Sequence, residues 1–276
     1  MKYLFKLIVI ILCSSVLSGC NSTSTTKSSS ESIAGLHDFN KVMVKGGDFL
    51  ITTYQKVTDK NASYVFYIEG DGSPFEGKYK ISLNPTPRQR TFVNLATMDK
   101  RPNVIYIARP CQYTPMEANP KCTNLYWTSR RLSDDSVDAL NQVINSINNG
   151  QPFSLIGYSG GGGIAVLIAA RNNKVKDIIT VAGNLDHVAF TSYHNVTPMI
   201  DSLNPINFAE KINMIPQLHV SGAKDTKVPP FIADKFVKAS ASVCVKNRTF
   251  QGVSHNKGWD KIWEHILNIP LNCHNL

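Results

Sequence analysis

Three side chains of this chain could together activate an oxygen nucleophile: Ser159, Asp225 and His255. Ser159 sits in Gly157-Tyr158-Ser159-Gly160-Gly161, after the short apolar run Leu155-Ile156 and before the apolar segment Ile164 to Ala170, so the stretch reads as a strand, a sharp turn and a helix. A serine hydroxyl is a weak nucleophile, and such a turn holds it in a strained conformation, clear of its neighbours and beside a helix N-terminus. Gly157 and Gly161 let strand and helix pack that closely. A glycine-rich turn after a strand could instead cradle phosphate, so the partners must decide. Gln217 to Gly222 reads as a strand, and Asp225 lies in the loop beyond it, where a carboxylate can hold an imidazole. Asp186 also follows a strand-like run, Ile178-Ile179-Thr180-Val181, and is the rival acid. Thr249 to Gly252 reads as a last short strand, which places His255 in the loop before a final helix, as the candidate base.

The chain order Ser159, Asp225, His255 is that of α/β-hydrolases and differs from the orders of the chymotrypsin and subtilisin types. The segments around Gly157 to Gly161, Gly222 to Pro229 and Gly252 to Trp259 resemble the nucleophile, acid and histidine segments of the α/β-hydrolase superfamily, over roughly residues 40 to 276. The resemblance implies an α/β fold: a mostly parallel sheet flanked by helices, with the triad on loops at the C-terminal edge of the strands. It leaves the substrate open, because the superfamily hosts many chemistries. Acyl transfer also needs backbone donors for the oxyanion. The first is expected at the N–H of Gly160. The second is expected from Gly70-Asp71-Gly72-Ser73, similar to the family's His-Gly-x loop with Glu69 where histidine is common; the N–H of Asp71 is preferred and that of Gly72 held in reserve.

The elements that must position these residues are legible as alternating strands and helices, which give a parallel sheet. Lys41 to Val57 alternates around Gly46-Gly47 like a hairpin, Pro87 to Met98 can make a helix, and Asn103 to Ala108 is a buried-type strand. Ser133 to Asn149 reads as a helix with Ser133 as N-cap, Asp134 and Asp135 in its first turn and Gly150 as its stop. Residues 184–216 are long for a connection and should form a small cap, with Phe190, Tyr193, Met199 and Phe208 available to line an acyl pocket. The remaining histidines read as surface or core residues. Cys-x-x-Cys and His-Glu-x-x-His patterns are absent, so no metal and no cofactor is expected.

Lys2 and Lys6 precede the apolar run Leu7 to Leu12, which leads to Leu17-Ser18-Gly19-Cys20. Residues 1–19 read as a signal peptide, too short to span a bilayer. Leu17 to Cys20 resembles a bacterial lipobox, in which the cysteine takes lipid. Several acyl chains on Cys20 give lasting anchorage, each buried CH₂ contributing about 0.8 kcal/mol. Asn21, rather than aspartate, follows Cys20; by resemblance to lipoprotein sorting in Gram-negative bacteria this implies the outer membrane, facing the periplasm. Residues 20–36 are a polar tether, and 37–276 remain for one domain. Cys111, Cys122, Cys244 and Cys273 are an even set in an oxidising compartment, so two disulfides are expected, Cys111 with Cys122 and Cys244 with Cys273. The formal charge of +9 favours anionic surfaces, but Arg88, Arg90, Lys100 and Arg101 lack aromatic interleaving, so nucleic acid is not an expected partner. Together these readings describe a lipid-anchored envelope serine hydrolase acting on a small-molecule or lipid carboxylic ester. A peptidase or thioesterase with the same triad, and a non-catalytic envelope binding lipoprotein on a hydrolase scaffold, are the alternatives.

Overall fold

The computed structural model describes residues 37–77 and 79–273. The leader, Cys20, the tether and His274 lie outside the described residues.

Each strand of the central sheet is short, and its side chains are sorted by period two. In β3 (Tyr64–Ile68), Tyr64, Phe66 and Ile68 enter one core, while Val65 and Tyr67 enter the other. β6 (Asn103–Ile107) and β7 (Phe153–Tyr158) are likewise buried throughout. Strands buried on both faces need helices on both faces, which is what a parallel sheet provides. The sheet order is β1-β2-β6-β3-β7-β8-β9-β10, with β1 (Asn40–Gly46), β2 (Phe49–Val57), β8 (Val175–Val181), β9 (Gln217–Gly222) and β10 (Val245–Phe250). β2 is antiparallel to both neighbours, and the pairs from β6 to β10 are parallel. Helices α2 (Asp134–Ile147), α3 (Gly160–Ala169) and α5 (Phe231–Ser240) cover one face. Helices α1 (Thr91–Met98) and α6 (Trp263–Leu267) cover the other, where Trp259 and Trp263 are fully buried. This is the mostly parallel, helix-flanked architecture that the resemblance implies.

β6 and β7 lie on opposite sides of β3, and the helices that lead to them, α1 and α2, pack on opposite faces. The strand order therefore switches at β3, and a crevice opens at the C-terminal ends of β3 and β7. A second, two-stranded sheet, β4 (Phe75–Glu76) with β5 (Lys80–Ile81), stands in the loop after β3; the sequence pattern did not signal it.

Local boundaries differ from the sequence reading in physically simple ways. Helix α1 starts at Thr91 rather than Pro87 because the segment before it is pinned outside the helix, Ser73 N donating to Pro85 O at 2.9 Å and Tyr113 N to Thr86 Oγ1 at 2.9 Å. Ser133 flanks α2 as expected but does not cap it: its hydroxyl donates to Asp135 Oδ1 at 2.5 Å. β10 begins at Val245, ahead of the expected Thr249, because it pairs with the whole length of β9. The disulfides Cys111–Cys122 and Cys244–Cys273 are both formed. In the chain-entropy account each contributes roughly 3 kcal/mol by restricting the unfolded chain.

Candidate active site

Ser159 stands between the last residue of β7 and the first of α3, with φ +51° and ψ −121°. A non-glycine residue there stores on the order of 1–3 kcal/mol of strain, which its surroundings must hold. They do so through the backbone: Ser159 N donates to Val181 O at 2.9 Å, and Ser159 O accepts from Gly162 N at 3.0 Å and Asn184 N at 2.8 Å. A methyl group at Gly157 would lie 2.7 Å from Gly162 Cα, and one at Gly161 would lie 2.5 Å from Glu69 O. Gly157 thus admits the start of α3 against β7, while Gly161 admits it against the end of β3, a neighbour the motif alone does not name.

Asp225 lies in the loop after β9 and is fully buried. Its Oδ2 is 2.8 Å from His255 Nδ1, and its Oδ1 accepts from Lys227 N at 2.8 Å and Val228 N at 2.9 Å. With Nδ1–H given to the carboxylate, Nε2 is the nitrogen left to accept a proton. Asp186 is brought to a different task. Its Oδ1 caps helix α4 (His187–His194) by accepting from Ala189 N at 3.1 Å, and its Oδ2 pairs with Lys235 Nζ at 2.7 Å.

The loop carrying His255 is held by two aromatic donors. Trp259 Nε1 donates to His255 O at 2.9 Å, and the Tyr158 hydroxyl lies 3.0 Å from the same oxygen and 2.5 Å from Asn256 Oδ1. Tyr158 also stacks on Phe92 at 5.3 Å. The residue before the serine therefore ties the His255 loop to β7, a role that sequence reasoning missed. Ser159 and His255 line one pocket, yet among the described residues no hydrogen bond joins the serine hydroxyl to the imidazole. Such contacts are often long before substrate binds.

The loop after β3 supplies the opposite wall. Gly70 N donates to Glu69 Oε1 at 2.7 Å and is thereby occupied, whereas the N–H groups of Asp71, Gly72 and Gly160 have no acceptor among the described residues. The Asp71 carboxylate packs against Gly160, leaving no room for a Cβ there, and is gripped by Arg131 Nη1 at 2.9 Å and Arg109 Nη1 at 3.3 Å. Burial alone would raise its pKa, but the two guanidinium groups outweigh that and hold it below the usual carboxylate range. Gln112 Nε2 donates to Gly70 O at 3.0 Å, so the loop closed by the Cys111–Cys122 disulfide braces the turn from behind.

Glu69 is a buried carboxyl whose pKa burial raises to about 7, opposed by hydrogen bonds from the Tyr106 hydroxyl at 2.5 Å and from Gly70 N. Because the folded pKa exceeds the unfolded one, its contribution to stability is fully present below pH 4.5 and is lost as pH rises toward 7. The span corresponds to on the order of 3 kcal/mol. Thermal melts at pH 4.5, 6 and 7.5 should show Glu69→Gln gaining on the wild type as pH rises; a stability difference that stays constant across this range contradicts the reading.

The pocket holds about 340 Å³. Of the four side chains expected to line it, only Phe190 does: Tyr193 is 55% exposed, Met199 is 3% exposed, and Phe208 packs against the core below the cap. Helix α4 turns one face to the pocket, and the chain after it returns Met199 and Phe208 to the interior. A larger surface cavity of about 650 Å³, between α1 and α6, contains neither Ser159, Asp225 and His255 nor the loop after β3. Among the described residues no group of three or more His, Cys, Asp or Glu is placed to hold a metal ion.

A family model described as Serine hydrolase (FSH1) matches residues 86–253, a span that includes Ser159 and Asp225 and stops just short of His255. No curated protein matches the sequence. Among solved structures, a Pyrococcus furiosus esterase superposes with TM-score 0.55 at 11% identity, covering 83% of this chain and 88% of the esterase. The Pyrococcus horikoshii acylaminoacyl peptidase gives TM-score 0.59 at 12% identity, covering 83% of this chain but 39% of the peptidase. A puromycin hydrolase gives TM-score 0.54 at 13% identity over 80% of this chain, which spans only 36% of that hydrolase. At these identities the likeness is one of fold.

Proposed function

Given that the chain belongs to the FSH1 serine hydrolase family, we propose that it cleaves carboxylic esters through an acyl-enzyme, with Ser159 as nucleophile, His255 as base and Asp225 as acid. The observation that carries this reading is the convergence, in one pocket, of a serine at a positive-φ elbow and a histidine whose other nitrogen is bound to a buried carboxylate. His255 Nε2 takes the proton as Ser159 Oγ attacks the carbonyl carbon, then gives it to the departing alkoxide. Water repeats the sequence to free the acid and regenerate the serine. The N–H groups of Gly160 and Asp71, with Gly72 in reserve, bind the oxyanion; donors of this kind are worth about 10²–10³ in rate each.

The similar esterase, covered over 88% of its length, supports esters as the substrate class, while the peptidase and puromycin hydrolase that share the fold make amides the competing reading. Turnover of short 4-nitrophenyl esters beside matched 4-nitroanilides tests the choice. Esters should exceed anilides by at least 10³ in kcat/KM, and anilide turnover within tenfold would support the peptidase reading instead.

We further propose that lipid on Cys20 holds the enzyme to the envelope, at an outer membrane facing the periplasm. The charged and apolar pattern of residues 1–20 and the two disulfides support this. Radioactive palmitate should label the full chain and not a Cys20→Ser variant; equal labelling would remove the anchor.

A further inference from the structure

The pocket around Ser159 is lined by cations from three separate segments: Arg88 from the loop before α1, Arg131 from the loop before α2 and Lys227 from the loop after β9. The acids that line it do not offset them. Asp71 is already held by Arg131 and by the buried Arg109 behind it. Glu69 is buried, with one oxygen given to Tyr106 and the other to Gly70 N. Arg88 and Lys227 are exposed and have no carboxylate within ion-pair distance among the described residues. Glu76, the acid whose charge Arg88 influences, is paired instead with Lys80 at 2.7 Å.

Two uncompensated cations from different segments of the chain, lining the same small crevice as Ser159, make a recognition site for a fixed negative charge on the substrate. We propose that the natural ester carries a carboxylate or phosphate group beside the scissile bond, received by Arg88 and Lys227 and drawn in by the net positive wall at Arg131 and Arg109. This rests on the ester-hydrolase reading and narrows it from esters at large to anionic esters. Arginine presents a planar fork suited to either oxyanion, while lysine supplies a mobile point charge. Of the four cap side chains expected to line an acyl pocket only Phe190 reaches this crevice, and three cations line it as well.

The test uses the full chain carrying Ser159→Ala, so that ligands bind without turning over, and NMR titrations with 4-(butyryloxy)benzoate, its neutral carboxamide analogue and 4-(butyryloxy)phenyl phosphate. The anions should bind at least tenfold more tightly than the carboxamide, and the tighter of the two identifies the natural group as carboxylate or phosphate. That preference should shrink at least fivefold in Arg88→Gln and in Lys227→Gln, and again on raising salt from 50 to 500 mM, because exposed charges are screened over about 8 Å at physiological ionic strength. Equal binding of carboxylate and carboxamide, or a preference untouched by both substitutions and by salt, overturns the proposal. Wild-type hydrolysis of the carboxamide ester is read separately. Anion preference without any ester turnover would leave the anion site standing and remove the ester reading.

Discussion

Ser159→Ala should lower kcat on short esters by about 10⁶ while leaving the thermal midpoint within a few degrees of the wild type. The rate loss follows from removing the only oxygen at the elbow that can form the acyl-enzyme; in serine hydrolases whose triad acts as a unit, losing the nucleophile alone costs this much. The intact fold follows from how the elbow is held. Its three hydrogen bonds, to Val181 O and from Gly162 N and Asn184 N, all use the Ser159 backbone. Alanine at φ +51° meets the same steric cost as serine, so the substitution removes an oxygen and adds no new strain. A folded variant retaining a tenth of wild-type turnover would show that another group does the chemistry.

Asp225→Asn should cost about 10⁴ in kcat with little change in KM. Asparagine can keep its oxygen toward Lys227 N and Val228 N, which preserves the loop, and it then presents an NH₂ group to His255 Nδ1. Two donors cannot face each other, so the ring takes the tautomer with its proton on Nε2 and can no longer accept one from Ser159. The companion change Asp186→Asn should leave kcat within a few-fold. It weakens the pairing with Lys235 and keeps an oxygen that can cap α4, an effect of no more than about 1 kcal/mol on stability and none on proton transfer. Reversal of the two outcomes, with Asp186→Asn the slow enzyme, would transfer the acid role to Asp186.

The contrast between these aspartates shows what the sequence could carry. Ser159 is legible because everything that makes its elbow is local: a strand, two small residues and a helix start. Asp225 and His255 are legible through chain order and through their places after strand-like runs. The disulfides followed from an even cysteine count and from what each pair could tie: Cys111 and Cys122 bracket a Pro-rich loop, and Cys244 with Cys273 joins the last helix to the strand region before it. Glu69, Asp71, Arg109, Gln112 and Arg131 form one wall of the site, yet they come from three stretches of chain that pattern alone does not join; only the sheet order, which sets β3 between β6 and β7, brings them together. Tyr158 escaped notice for a related reason, since its partners His255 and Asn256 lie nearly a hundred residues away. The cap was expected over residues 184–216, and its aromatic residues were assigned by type. Whether such a side chain faces a pocket or a core depends on how the chain turns after α4, and composition says nothing of that.

The most direct test of the account is intact-mass analysis of the purified protein after exposure to a fluorophosphonate, followed by mapping of the modified peptide. The account predicts one adduct per chain, carried by Ser159, absent from Ser159→Ala and formed far more slowly in His255→Ala. A folded wild type that takes up no probe, or takes it up at another residue, contradicts it.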